Sequence, residues 1–233
     1  MTSLRRRRLV AAIIILFATL GVLITSPDSY QIVSNSFLKS ESEPTSQSPA
    51  AKVLDELSVK GRSPKTGYSR EQFGDGWENK GSCDMRNLIL IRDLEGERID
   101  SECEVLSGQL TDPYSGDTIN FKRGQNSSAL VQIDHVVALS DAWQKGAQQL
   151  EFDKRVKFAN DPLNLLAVSG SQNQAKSDGD AATWLPSNKA FRCQYVARQI
   201  AVKASYNLWV TNAEKLAMKQ VLQRCPSQKL PTA

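Results

Sequence analysis

Histidine is nearly missing from this chain: one residue, His135, in 233. That count alone removes every site needing two imidazoles, including the H-E-x-x-H zinc peptidases and Cys2His2 fingers. Cysteine is sparse as well. The four present (Cys83, Cys103, Cys193 and Cys225) have no CxxC spacing, which argues against a zinc knuckle. Aromatics reach only 7%, there is no collagen-like period, and the long uncharged apolar run, Leu9 to Ile24, is confined to the N-terminus. A polytopic membrane protein is therefore excluded. What remains, 40% hydrophobic and 23% charged residues, suits one or two globular domains with a buried core.

Neither sign of charge dominates, since 29 Lys+Arg face 25 Asp+Glu. The distribution is uneven, however. Arg5 to Arg8 carry the whole excess; residues 27–120 hold 10 basic and 17 acidic side chains, and residues 121–233 hold 15 and 8. A basic C-terminal half is what a polyanion-binding surface needs, although chance segregation of solvated charge gives the same count.

Four arginines followed by sixteen uncharged residues form the cationic and apolar regions of an export signal. At 1.5 Å per residue the run spans ~24 Å, short of the ~30 Å hydrocarbon core. Residues 1–25 are thus expected to act as a signal peptide or a retained signal anchor. Thr25-Ser26-Pro27 is a poor cleavage site, which favours the anchor. The remainder is expected outside the cytoplasm, secreted or membrane-anchored. Residues 26–51, with eight Ser and three Pro, read as a disordered tether, and residues 52–233 as the folded domain. In an exported chain four cysteines favour two disulfides. Three connectivities are open, and Cys83–Cys103 with Cys193–Cys225 is preferred because each closes a local loop.

Within the domain, Val53, Leu54 and Leu57 suggest a short helix, and Met85, Leu88, Ile89 and Leu94 an amphipathic helix over 84–94. Cys103–Leu110 and Thr118–Phe121 flank the turn Asp112-Pro113-Tyr114-Ser115-Gly116 and read as a hairpin. Leu130–Leu139 is the strongest strand candidate, 141–158 reads as a helix, and Asn164–Val168 as a second short strand. Asn188–Arg224 has a helical pattern broken near Val210-Thr211-Asn212.

The chemistry-bearing residues sit in that middle stretch. Asp134-His135 closes the first strand, Asn164 opens the second, and Asn173-Gln174-Ala175-Lys176-Ser177-Asp178 follows in a polar helix. With Phe158–Val168 and Trp184-Leu185-Pro186, these blocks resemble the HNH nucleases of the ββα-metal class. Within that class they are similar to an exported bacterial family related to the C-terminal domain of modification-dependent restriction enzymes. The resemblance covers nearly all of residues 60–225 and implies an α+β fold. Its ββα-metal core would span about 118–182, with an N-terminal helix and hairpin extension and C-terminal helices.

By that resemblance the activity is metal-dependent hydrolysis of DNA phosphodiesters, with RNA or another phosphodiester polymer as further candidates. His135 would be the general base, Asp134 and Asn173 the metal ligands, and Asn164 the residue holding loop and base in place. Oxygen ligands alone favour Mg²⁺ or Mn²⁺ over zinc. Consecutive strand residues face opposite ways, so Asp134 and His135 serve one site only at a strand end or local twist. Lys176, Arg70, Arg86 and Arg123 are phosphate-contact candidates, against solvation for the lysine and structural ion pairs for the arginines. Asp178 is either an acceptor behind the ligands or a helix-end residue. Trp143 and Trp184 are expected in the core. A monomer without an organic cofactor is expected, its partners being DNA and, if the signal is uncleaved, the membrane. The competing reading is a membrane-tethered, non-catalytic nucleic-acid-binding protein on the same scaffold.

Overall fold

The computed structural model describes residues 47–125 and 127–231. The expected signal segment lies outside them, as does the expected tether up to residue 46. Among the described residues no helix is long and apolar enough to cross a membrane. Helix α1 (Pro49–Glu56) begins inside the stretch expected to be tether. Ser48 Oγ accepts from the Ala51 amide and Pro49 fills the first turn, so local capping chemistry starts the helix there. Ala50 and Leu54 then anchor it in the core.

A two-residue ribbon, β1 (Asn79–Lys80) with β2 (Cys83–Asp84), leads into α2 (Met85–Asp93), for which Asp84 is the N-cap. The expected hairpin is present as β4 (Val105–Thr111) and β5 (Thr118–Lys122), paired from Ser107↔Lys122 to Thr111↔Thr118. A further strand, β3 (Glu95–Ile99), adds to β4 and makes a three-stranded meander. Its sequence, Glu-Gly-Glu-Arg-Ile, lies mostly exposed and has too little apolar alternation to announce a strand.

The central ββα unit follows. Strand β6 (Val131–His135) pairs antiparallel with β7 (Leu165–Ser169), and α5 (Gly170–Lys176) leaves β7 directly. A Cβ on Gly170 would collide with the Ala129 carbonyl oxygen, so this strand-to-helix junction requires glycine. β7 is buried throughout and separates two cores. Leu165 and Ala167 pack with α2 and the meander, while Leu166 and Val168 pack toward α1 and the C-terminal helices α6 (Arg192–Ser205) and α7 (Asn212–Leu222).

Between β6 and β7 the expected single helix is broken into α3 (Leu139–Gln144), a 3-10 turn (Ala147–Gln149) and α4 (Phe152–Ala159). The break sits at Gly146, whose φ of +122° and close approach to the Trp209 ring no larger residue tolerates. It follows Lys145, which is 0% exposed. The two disulfides are Cys83–Cys103, tying β2 to the β3–β4 loop, and Cys193–Cys225, tying the start of α6 to the segment after α7. The architecture is α+β, as expected.

Candidate active site

The site forms where β6 ends. Alternation along β6 sends Val131 and Ile133 into one core and Gln132 and Asp134 toward the opposite face, and His135 is the last strand residue. A depression of about 370 Å³ wraps this strand end, and Asp134, His135, Asn173 and Asp178 all contribute to its lining. A second, of about 410 Å³, shares Arg70, Leu139 and His135 with it and extends over Phe73 and Trp77. The imidazole therefore stands where two clefts meet, and the strand end meets the demand set by opposite-facing neighbours.

His135 is held from three sides. Its Nε2 lies 2.9 Å from the Ala159 carbonyl oxygen, which can only accept, so the proton sits on Nε2 and Nδ1 keeps its lone pair. Its ring stacks on Trp77 with centroids 5.7 Å apart and planes 12° from parallel. Behind it, the Val136–Val137 corner is clamped by Asn164. Val136 N donates to Asn164 O and Val137 N to Asn164 Oδ1, while Asn164 Nδ2 donates to Val137 O and Phe158 O. Asn164 is 0% exposed and holds the backbone that follows His135. Burial pushes the His135 pKa down to about 4; the Ala159 bond works against this, and the cations Arg70 and Lys176 add to it. The imidazole is consequently neutral at physiological pH.

Asp134 is buried but doubly held. Lys176 Nζ donates to Oδ1 at 2.9 Å and Tyr114 Oη to Oδ2 at 2.5 Å. Burial raises its pKa, while Lys176 and the Tyr114 hydroxyl pull it back. Lys176 also donates to the His135 carbonyl. Its side chain is 0% exposed, so the expected phosphate contact is corrected: Lys176 is the internal counter-ion of Asp134. Arg86 and Arg123 are likewise corrected. Arg86 donates to Val131 O and ties α2 to the start of β6, while Arg123 donates to Val105 O and Asn87 Oδ1 and braces the meander against α2; neither lines the two clefts. Arg70 alone of the candidate cations is exposed at the junction of the clefts.

Asn173 is half-buried on α5, and its Nδ2 donates to Gln132 Oε1 at 2.8 Å, leaving the amide oxygen as its available ligand atom. Asp178 accepts from Ser140 Oγ and Lys65 Nζ at the cleft wall, and these bonds lower its pKa against the opposing effect of burial. Trp143 and Trp184 pack in aromatic clusters, as expected. Tyr114, Trp77, Gln132 and the Ala159 carbonyl join the site without having been singled out as site residues from sequence.

The donor set suits a hard divalent cation, with one carboxylate and one amide oxygen at the same cleft. A carboxylate has about four lone-pair positions, so two hydrogen bonds to Asp134 leave capacity for a metal. Among the described residues no group of three His, Cys, Asp or Glu side chains is arranged to hold a metal.

Comparison with known proteins gives the family. An "Uncharacterized secreted protein" from the fungus Arthroderma benhamiae is 38% identical over 182 residues, 77% of this chain and 86% of that protein. A bacterial affiliation therefore finds no support. No solved structure matches the chain. Residues 84–221, comprising the meander, the ββα unit and nearly all of both C-terminal helices, match the family described as GmrSD restriction endonucleases, C-terminal domain. The chain belongs to that family, which is of the HNH nuclease type.

Proposed function

We propose that the protein is an exported, metal-dependent endonuclease that hydrolyses DNA phosphodiester bonds. The observation that carries the reading is the state of His135: a neutral imidazole locked on Nε2 by the Ala159 carbonyl, with Nδ1 free at the junction of two clefts. That is the form a general base needs to take a proton from water. Asp134 and the Asn173 amide oxygen would hold Mg²⁺ or Mn²⁺, which when bound would neutralise charge on the scissile phosphate and leaving oxygen. Asn164 keeps the base in place through the Val136–Val137 backbone. Arg70, exposed beside His135, would bind a substrate phosphate. Asp178 would restrain the cleft wall through Ser140 and Lys65.

Two disulfides and a fungal relative named as secreted support an extracytoplasmic location, with the N-terminal segment as cleaved signal or anchor. The enzyme would act as a monomer with DNA as its partner. The test is digestion of supercoiled plasmid by the oxidised protein. Nicking with Mg²⁺ or Mn²⁺ is expected, and its loss with chelator or in His135→Ala. DNA retardation without turnover at any metal concentration would instead establish the non-catalytic binding protein, and preferential cutting of RNA would reassign the substrate.

A further inference from the structure

The turn Asp112-Pro113-Tyr114-Ser115-Gly116 lies between two strands of the meander, outside the ββα unit, yet two of its side chains point fully into the interior. Asp112 and Tyr114 are both 0% exposed. The Asp112 carboxylate accepts from the amides of Tyr114, Ser115 and Ser169, so it closes its own turn and ties it to the end of β7. The Tyr114 carbonyl accepts from Asn188 N and Ser187 Oγ. Its ring is enclosed by Trp184, Tyr195 and Phe191, with centroids 5.0, 5.6 and 6.3 Å away. All this fixes one hydroxyl, and that hydroxyl sits 2.5 Å from Asp134 Oδ2.

We propose that Tyr114 is a positioning residue for the metal-binding carboxylate: its hydroxyl, with Lys176 Nζ on the other oxygen, sets the plane of Asp134 so that the remaining lone pairs can meet a cation. The inference rests on the nuclease reading above. A buried tyrosine hydroxyl generally finds some acceptor, so the bond by itself carries little. Its chemistry carries more. Lys176 already balances the charge of Asp134. A second cation at Oδ2 would leave the pair net positive and repel a divalent ion, whereas a phenol restrains the oxygen without adding charge. Partners of this kind, which orient a ligand without touching the metal, govern metal affinity in known sites.

The experiment measures Mn²⁺ affinity, by electron paramagnetic resonance, for the full oxidised protein and for Tyr114→Phe, alongside plasmid nicking as a function of Mn²⁺. Tyr114→Phe is expected to bind Mn²⁺ about 10–100-fold more weakly, with nicking partly restored by excess Mn²⁺. Tyr195→Phe, which removes a neighbouring buried hydroxyl that does not touch Asp134, is expected to bind as the parent does. Unchanged Mn²⁺ affinity in a folded Tyr114→Phe overturns the proposal while leaving the nuclease reading intact. A parent protein that binds no Mn²⁺ overturns both. Should Tyr114→Phe fail to fold, 3-fluorotyrosine at position 114 keeps the hydroxyl. Its ¹⁹F resonance is expected to shift on saturation with Mg²⁺, and a stationary resonance would contradict the role.

Discussion

Two buried ionic clusters lie back to back in this protein, and they differ in completeness. The first joins Arg62, Lys145 and Lys203 to Asp141, Asp180 and Glu214. Lys145 Nζ is 2.7 Å from all three carboxylates, Lys203 reaches Glu214 at 3.0 Å, and Arg62 reaches Asp180 at 2.8 Å and Asp141 at 3.0 Å. Three cations meet three anions, so the charges balance, and the cluster lines neither of the two clefts at His135. The second, around Asp134, has one carboxylate, one lysine, one phenol and a neutral imidazole beside an open cleft. The chain places them with residues one or two positions apart: Ser140 and Asp178 line the cleft, while Asp141 and Asp180 enter the closed cluster. Buried carboxylates thus occur in two settings, one closed and one beside a cleft. A charge-balanced cluster away from the clefts fixes where helices meet, whereas a buried carboxylate lining a cleft is a candidate for chemistry.

The comparison breaks most sharply with paired variants. His135→Ala is expected to lower metal-dependent nicking about 10²–10⁴-fold, the usual contribution of a general base, with the melting transition preserved. Lys145→Met should do the reverse. It leaves three buried carboxylates with two cations and costs about 3–5 kcal/mol in denaturant-measured stability, while nicking per folded molecule stays at the parental level. If Lys145→Met abolished nicking in a fully folded protein, the two clusters would not be separable.

Acid sharpens the distinction further. His135 is neutral when folded, with its pKa near 4, against about 6.5 when unfolded. Between those values the unfolded chain binds the extra proton, so stability is full above pH 6.5 and falls as the pH drops toward 4. The loss amounts to about 3 kcal/mol. Urea titrations at pH 7 and pH 4 in chelator are expected to detect it, and His135→Phe should remove that part of the acid sensitivity. The smallest effect concerns the surface. Arg70→Ala is expected to leave folding unchanged, raise the apparent KM for DNA a few-fold, and reduce the salt-dependence slope by about one.

The difference between the clusters also explains what the sequence disclosed. Asp134, His135, Asn164 and Asn173 stand out as candidates because they lie in three short blocks whose order and spacing resemble the HNH pattern, and the structure brings Asp134, His135 and Asn173 to one cleft with Asn164 behind it. Helices α2, α6 and α7 were legible from apolar periodicity and from the break near Val210-Thr211-Asn212 that separates the last two. The closed cluster was not, since it gathers Arg62, Lys145, Asp180 and Glu214 from positions up to 152 residues apart, and each alone reads as an ordinary surface charge. Lys176 was misplaced for the same reason: on a polar helix nothing local foretells that its stem runs inward to Asp134. Tyr114 reaches Asp134 only because the meander folds its turn beneath the ββα unit.

The central claim, that Asp134 and Asn173 converge on a divalent ion beside the His135 imidazole, is tested most directly by anomalous diffraction from a Mn²⁺-soaked crystal. The account predicts a manganese peak bonded to an Asp134 carboxylate oxygen and to Asn173 Oδ1, on the Nδ1 side of His135. A cleft without manganese at saturating concentration, or an ion bound away from these two oxygens, would contradict it.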